Sequence, residues 1–338
     1  MKKNNKIKYI DLFAGCGGLS LGLKMSGGFQ NVGFVEHWHP AIDTYKANFP
    51  KTHLLGEDIT TMDLKCFKNI KDVDLIIGGP PCQGFSIAGK RDITDPRNSL
   101  FMNFIKIVDI CKPKIFLMEN VKGLLSMKTA TGENVLDVIL NEFKKIGYSV
   151  KFKSIDAANH NVPQHRHRIF FVGMKTENIF EFPIESKQLI TVKDAIGDLE
   201  SLQSGEKSKT DKLHFAVTHV DRHLKWLSVT PEGKSAHDND NPKFRPPSGY
   251  DTTYKRIWWN KPSPTITTCF SSISSQNNVH PSDTRALTIR EAARLQTFPD
   301  NYIFKNSISS IRKQIGNAVP PLLSKAIANN IKKALKDI

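Results

Sequence analysis

The chain has 338 residues, room for about two domains of ordinary size (~150 residues each) and for a hydrophobic core that needs no cross-links. Hydrophobic residues at 39% and charged residues at 24% exclude disordered, collagen-like and disulfide-scaffold classes. Lys and Arg number 48 against 33 Asp and Glu, a formal charge of +15 that attracts phosphate backbones and points to nucleic acid, the bland alternative being colloidal charge.

The cysteines, Cys16, Cys66, Cys82, Cys111 and Cys269, form no CxxC pair, so neither a disulfide framework nor a zinc ribbon is expected. After MKKNNKIK the chain enters YIDLFAG with no apolar leader, and it contains no apolar run of the ~18 residues a membrane span needs. A reducing cytoplasm is the expected setting, and no membrane is expected as partner.

In chain order, short apolar runs at Lys8–Phe13, Val32–Glu36, Val73–Ile77, Lys114–Met118, Tyr148–Ser154 and Arg168–Gly173 predict strands. Segments with apolar residues three and four apart, Leu19–Met25, Ala41–Asn48, Leu100–Cys111 and Asn134–Ile146, predict the connecting helices. This alternation is the pattern of an α/β layer with an open, mainly parallel sheet. Near Lys175 the alternation stops, and as far as about Arg285 the chain is richer in Ser, Thr, Asn, Pro and His. Such a stretch is too long for a plain loop and predicts a smaller, irregular domain over residues 176–284. Helical periodicity returns in LTIREAARLQTF and VPPLLSKAIANNIKKAL. Both helices are expected to pack back on the first-half sheet, making a discontinuous domain of residues 1–175 and 285–338.

Several motifs sit at predicted strand ends, where open α/β sheets bind ligands. In DLFAGCGGLSLGL, Gly15, Gly17 and Gly18 allow a tight turn into a helix N-terminus, as a nucleotide-cofactor loop requires. The dinucleotide fingerprint fails, because Ser20 stands where its third small residue belongs. Glu36 could accept both hydroxyls of a ribose, Trp38 could stack on an adenine, and Asp58 could accept from the adenine amino group. GGPPCQGFS follows the strand VDLII, and its two prolines stiffen the approach to Cys82, which suits a nucleophile. In isolation Cys82 would read as a small buried residue; its flanks argue otherwise. The polar stretch after Ser86, with Lys90, Arg91 and Arg97, reads as a basic loop that could close on a phosphate-bearing substrate. Glu119 in MENV ends another strand and could act as an acid toward a ring nitrogen, or simply cap a helix. In QHRHR, alternation predicts that Arg166 and Arg168 point to one side as anion or carbonyl clamps. His219 and His223 lie four apart with no third ligand near, so no metal is expected. Trp226, Trp258 and Trp259 read as packing residues of the small domain, with DNA contact as the alternative.

Taken in order over nearly the whole chain, DLFAGCGG, Glu36, Asp58, GGPPCQGFS, ENV, QHRHR, RALTIREAARLQTFP and QIGNAVPP resemble the carbon-5 cytosine DNA methyltransferases of the bacterial modification type. The resemblance implies a Rossmann-like fold with helices on both faces of the sheet, and S-adenosylmethionine held by Phe13, Gly15, Gly17, Gly18, Glu36, Trp38, Asp58, Ile59, Pro80, Asn317 and Val319. By the same matching Cys82 is the nucleophile, Glu119 the acid at the cytosine ring, and Arg168, with Arg166 beside it, the donor to the base carbonyl. Residues 176–284 become the target-recognition domain, with Pro264–Thr267 in its core and Thr265, Ser86, Lys90, Arg91 and Arg97 toward DNA. The implied setting is a monomer acting on double-stranded DNA in a bacterial or phage-encoded restriction-modification system, beside a cognate endonuclease.

The implied chemistry needs these residue types. Carbon 5 of cytosine is a poor nucleophile until a thiolate adds at carbon 6. Donation to nitrogen 3 stabilises the charge that then appears on the ring. The base must leave the stacked duplex to be reached. Two rivals are a tRNA cytosine methyltransferase, which Thr268-Cys269-Phe270-Ser271 approaches without continuing the pattern, and a catalytically silent DNA-binding regulator, against which intact Cys82, Glu119 and Arg168 argue.

Overall fold

The computed structural model describes residues 6–81, 98–129, 132–177 and 179–337. The first half runs β1 (Ile7–Leu12), α1 (Gly18–Ser26), β2 (Phe29–Val35), α2 (His39–Asn48), β3 (Leu54–Gly56), β4 (Leu75–Gly78), α3 (Asn98–Cys111), β5 (Ile115–Val121), α4 (Val135–Lys145), β6 (Ser149–Asp156) and β7 (His167–Met174). All seven strands form one sheet in the order β3-β2-β1-β4-β5-β7-β6. The first five are parallel, and β7 lies antiparallel between β5 and β6. The expected strands are all present; β3, too short to show periodicity, is an addition.

Alternation along β1 sorts the two faces. Ile10 and Leu12 join Ile76, Phe116, Met118 and Phe171 in a core closed by Phe101 and Phe104 of α3 and Phe143 of α4. Phe116 stacks on Phe143 with ring centroids 4.0 Å apart. Tyr9 and Asp11 face the other way, and Asp11 meets Ser20 of α1 and Tyr45 of α2. Helices therefore cover both faces.

Later helices are α5 (Val192–Ile196), α6 (Asp221–Ser228), α7 (Ile289–Leu295), α8 (Ile308–Asn317) and α9 (Pro321–Lys336). The chain divides into two compact units, one of Met1–Asp156, His167–Ile184 and Leu323–Ile338, the other of Ala157–Arg166 and Glu185–Leu322. Most of α9 belongs to the first unit: the Ser324 hydroxyl donates to the Leu19 carbonyl at 2.7 Å, and Lys332 to that of Ser26 at 2.6 Å. α7 does not follow it. A capping box of Thr288 and Glu291 starts α7, and the Glu291 carboxylate takes two bonds from Arg285, at 2.9 and 2.8 Å, which ties the helix into the second unit.

Among its described residues the second unit has no multi-residue strand, only isolated bridges. Its small apolar core gathers Trp226, Leu227, Ala236, Ile273, Val279 and Ala286. Two buried guanidiniums do what a sheet would otherwise do for irregular backbone. Arg256 donates to the carbonyls of Thr230, Leu227, His280 and Asp283, and Arg285 to those of Leu202 and Ala286.

Candidate active site

The sheet reverses its winding between β1 and β4, so the carboxyl ends of these strands flank the crevice where doubly wound sheets hold ligands. β1 leaves the sheet through a turn with Phe13, Gly15 and Gly17 at φ of 56, 55 and 90°. Gly17 caps α1 in the left-handed conformation that glycine adopts without strain. Next door, Glu36 follows β2; its two carboxylate oxygens accept from the backbone N–H of Gly15 at 2.7 Å and of Trp38 at 2.8 Å. Burial raises the Glu36 pKa, and the N–H groups of Trp38, Gly15 and His37 oppose that rise. Beyond β3, Asp58 accepts from the backbone and hydroxyl of Thr60 at 2.8 and 2.6 Å, bonds that hold its carboxyl below its ordinary pKa. Ile59 beside it is buried.

A Cβ placed on Gly15 would meet nothing within 4 Å, so the turn borders open space, with the Glu36 carboxylate bonded to its backbone. Gly18 starts α1, and Pro80 ends the β4 exit.

Glu119 and Arg168 form the second cluster. Glu119 of β5 is paired across the ladder with Phe170, and Arg168 lies two residues along β7 on the same face. Their Oε1 and Nε atoms are 3.0 Å apart, with side chains 13% and 17% exposed. The loop leaving β4 passes directly by Glu119: a Cβ on Gly79 would sit 2.9 Å from its Oε2. Asn120, buried between, donates to the Pro80 carbonyl at 2.9 Å and pins that loop. The motif ENV marked Glu119 readily, whereas the Asn120 clamp could have been found only by asking what a buried amide at a strand end must bond. Cys82, Ser86, Lys90, Arg91 and Arg97 lie outside the described residues.

The expectation for QHRHR is corrected. Arg168 starts within β7 of the first unit, but Arg166 is 1% exposed in the second, where its guanidinium donates to the carbonyls of Ile266 at 3.1 Å and Gly316 at 2.8 Å. Strand alternation does not extend to Arg166, because β7 begins at His167. Gln164 works alongside it, accepting from Ile266 N–H at 2.9 Å and donating to Leu295 O and Gln296 Oε1. The Thr265 hydroxyl donates to the His165 carbonyl at 2.7 Å. Gly316 is necessary there, since a Cβ would come within 2.5 Å of the Thr268 nitrogen. Asn317, exposed, ends α8, and Val319 follows it, buried at 7%.

A doubly wound sheet, with a glycine turn and an acceptor carboxylate at its switch point and an acid–guanidinium pair two strands away, is the architecture of an enzyme that binds its ligands at the carboxyl ends of the strands. Comparison with known proteins identifies the kind. A model of the C-5 cytosine-specific DNA methylases matches residues 7–333. Among similar proteins, the type II methyltransferase M1.HphI of Haemophilus parahaemolyticus is 41% identical, over 97% of this chain and 87% of its own. The type II methyltransferase M.DdeI of Desulfomicrobium norvegicum is 37% identical, over 95% and 88%. Among solved structures, a putative DNA modification methyltransferase encoded within an E. coli prophage superposes with a TM-score of 0.76 at 26% identity, covering 98% of this chain and all of that one. The S. pombe Dnmt2 methyltransferase, at a TM-score of 0.61 and 18% identity over 98% of this chain and 99% of its own, shares the fold.

The chain belongs to the C-5 cytosine-specific DNA methylase family. It is a DNA (cytosine-5-)-methyltransferase, a reading these relatives favour over the tRNA enzyme and the silent regulator. Family and fold together imply S-adenosylmethionine as methyl donor and DNA as substrate. Among the described residues no helix is long and apolar enough to cross a membrane.

Proposed function

We propose that the chain methylates a flipped cytosine within a short, specific duplex sequence, and that its two site clusters divide the work. The Glu119–Arg168 pair carries this reading: a carboxyl group and a guanidinium held 3.0 Å apart, largely shielded, against the loop that leads to the PPCQ motif. Cys82 is assigned as nucleophile by that motif and adds to carbon 6 of the base. Glu119 donates toward nitrogen 3, and Arg168 fixes the carboxyl and bonds the base carbonyl. Asn120 keeps the loop in register with them. Arg166 has no part at the base; it holds Ile266 and Gly316.

S-adenosylmethionine supplies an electrophilic methyl group on a sulfonium. Glu36 would accept its ribose hydroxyls, Asp58 its adenine amine, and Phe13, Trp38, Ile59 and Pro80 its apolar surface, with Gly15, Gly17 and Gly18 leaving room for it. Asn317 and Val319 are assigned to the same ligand by their motif alone. Residues 176–284 would read sequence, with Thr265 and the basic residues Lys90, Arg91 and Arg97, together with Ser86, toward DNA. The type II relatives support a paired restriction endonuclease of the same target, and the enzyme would act as a monomer.

A duplex with 5-fluorocytosine at the target tests the reading. Fluorine cannot leave as a proton, so elimination stalls and the protein stays joined to DNA through denaturation. Mass spectrometry should place the cross-link on Cys82, and Cys82→Ser should abolish it. An adduct on another cysteine would falsify the assignment.

A further inference from the structure

Below the glycine turn β1 buries a carboxyl group that none of the steps above uses. Asp11 is 0% exposed. Its Oδ2 accepts from the Ser20 hydroxyl of α1 at 2.5 Å and lies 3.4 Å from the Tyr45 hydroxyl of α2, while Oδ1 has no hydrogen-bond partner among the described residues. The donors around it can be traced. Asn31 Nδ2 donates to the Tyr45 hydroxyl at 2.5 Å and to Ser20 Oγ at 3.3 Å, and the two hydroxyls are 2.7 Å apart. Every proton in the network is passed toward Asp11, which receives one close donor for two oxygens. An ionised carboxylate with so few donors in a buried site is poorly stabilised.

The groups that face it are Glu36 just after β2, Tyr45 from α2, Cys16 from the turn, and Tyr9 from β1 itself. Burial first and Glu36 second push the Asp11 pKa up to about 7, against Ser20 and Tyr45. Burial drives Cys16 up to about 12 and Tyr9 well above the usual phenol range, so both stay neutral where Asp11 titrates. Lys24, the cation of α1, is turned to the Asn48 carbonyl and the Phe49 ring. Ser324 of α9 is occupied with Leu19.

We propose that Asp11 is a charge-sensing positioning residue of the donor site, whose ionised form favours a sulfonium ligand over the thioether left after methyl transfer. The inference rests on the assignment of Glu36 and the glycine turn to S-adenosylmethionine. Asp11 is two residues before Phe13, Ser20 ties it to the first turns of α1, and it lies close enough to Glu36 for the two carboxyl groups to repel. Donor and product share ribose, adenine, amino and carboxylate groups and differ in one methyl and one positive charge. A negative Asp11 therefore adds to their difference, beyond the charge of Glu36, whose hydrogen bonds to the ribose both ligands share. Neutral Asp11 loses the discrimination.

Calorimetric binding of S-adenosylmethionine and S-adenosylhomocysteine to the full chain, from about pH 6 to about pH 8.5, measures this directly. The two amino groups do not titrate alike, because the sulfonium makes its neighbour more acidic, so the Asp11→Asn protein measured beside the wild type supplies the baseline that the ligands contribute. Above that baseline the wild-type ratio of the two affinities should rise in favour of the sulfonium by roughly threefold to tenfold as Asp11 ionises. Carbon-13 NMR of the free protein should show the Asp11 carboxyl titrating in the same range. Should Asp11→Asn fail to fold, Ser20→Ala serves in its place: loss of the close donor should move the midpoint to higher pH. A wild-type ratio that does not rise above the baseline across the range overturns the inference, as does a carboxyl signal that does not titrate there. Glu36→Gln separates the two layers. Weakened binding of both ligands beside a wild-type ratio that stays at the baseline overturns the role of Asp11 alone; unchanged binding of both overturns the donor-site assignment and this inference with it.

Discussion

Arg166 and Arg168 are two residues apart and do unlike work. Arg168 meets a carboxylate at the strand ends, so Arg168→Ala should lower kcat by a factor on the order of a hundred to a thousand, the usual cost of removing one oriented polar group from a transition state. Duplex affinity should change far less, because the proposed partner is the flipped base. Single-turnover kinetics beside equilibrium binding would check this, and an equal loss in both would count against the placement. Arg166→Ala should act on folding. It strips donors from two buried carbonyls, Ile266 and Gly316, at about 1–3 kcal/mol each. Urea unfolding should show that loss, with S-adenosylmethionine binding at saturating donor retained in the folded fraction. Ser20 teaches a similar lesson. It breaks the dinucleotide fingerprint, and the structure supplies the reason: its hydroxyl is needed by Asp11.

At the scale of elements, the second unit is organised by buried charge more than by apolar area. Against the burial that would raise it, Arg285 and His280 hold the Glu291 carboxyl down to about 2. Burial pushes the His280 imidazole down to about 4, against the pull of Glu291. Both groups bind protons more readily when unfolded, so both lend stability at neutral pH that is lost on acidification. The loss should begin as pH falls below the ordinary histidine value near 6.5 and continue toward about 2 as Glu291 takes its proton. Denaturant titrations at a series of pH values would follow it; stability that is level from pH 7 to about 4 would contradict the arrangement. Glu291→Gln leaves Arg285 buried without its main counter-charge and should cost about 3–5 kcal/mol.

At the scale of the molecule, the division of the chain bears on how specificity could be moved between relatives. A graft of residues 176–284 would part Arg285 from a replaced Asp283, His280 and Arg256, all members of one buried network. A graft of 185–322 keeps the network whole. The longer graft should therefore fold and methylate the donor's site, while the shorter should express poorly; bisulfite sequencing and thermal melts would read both. The formal charge of +15 makes a separate prediction. Duplex affinity should fall steeply between about 50 and about 200 mM salt as lysines and arginines release condensed counterions, and a nearly flat dependence would place DNA away from the basic surface.

The sequence made legible whatever is carried by local pattern. Apolar runs located six of the seven strands, with ends shifted by one to three residues, and the strand-end motifs named Glu36, Asp58 and Glu119, because strand periodicity and turn chemistry are properties of neighbouring residues. It could not show that α7 sides with the second unit, since periodicity reports that a helix has an apolar face and not which core receives it. It missed α8, whose cap at Ser307 lies in a polar stretch and which buries only Ile311, Gln314, Ile315 and Gly316. Only the folded chain shows that Arg166 grips two carbonyls a hundred or more residues away, that Asn120 pins Pro80, and that one Asp11 oxygen has no hydrogen-bond partner among the described residues. The physical reason is the same in each case: the energy of a buried polar group depends on partners brought to it by folding, and those partners are not its neighbours in the chain.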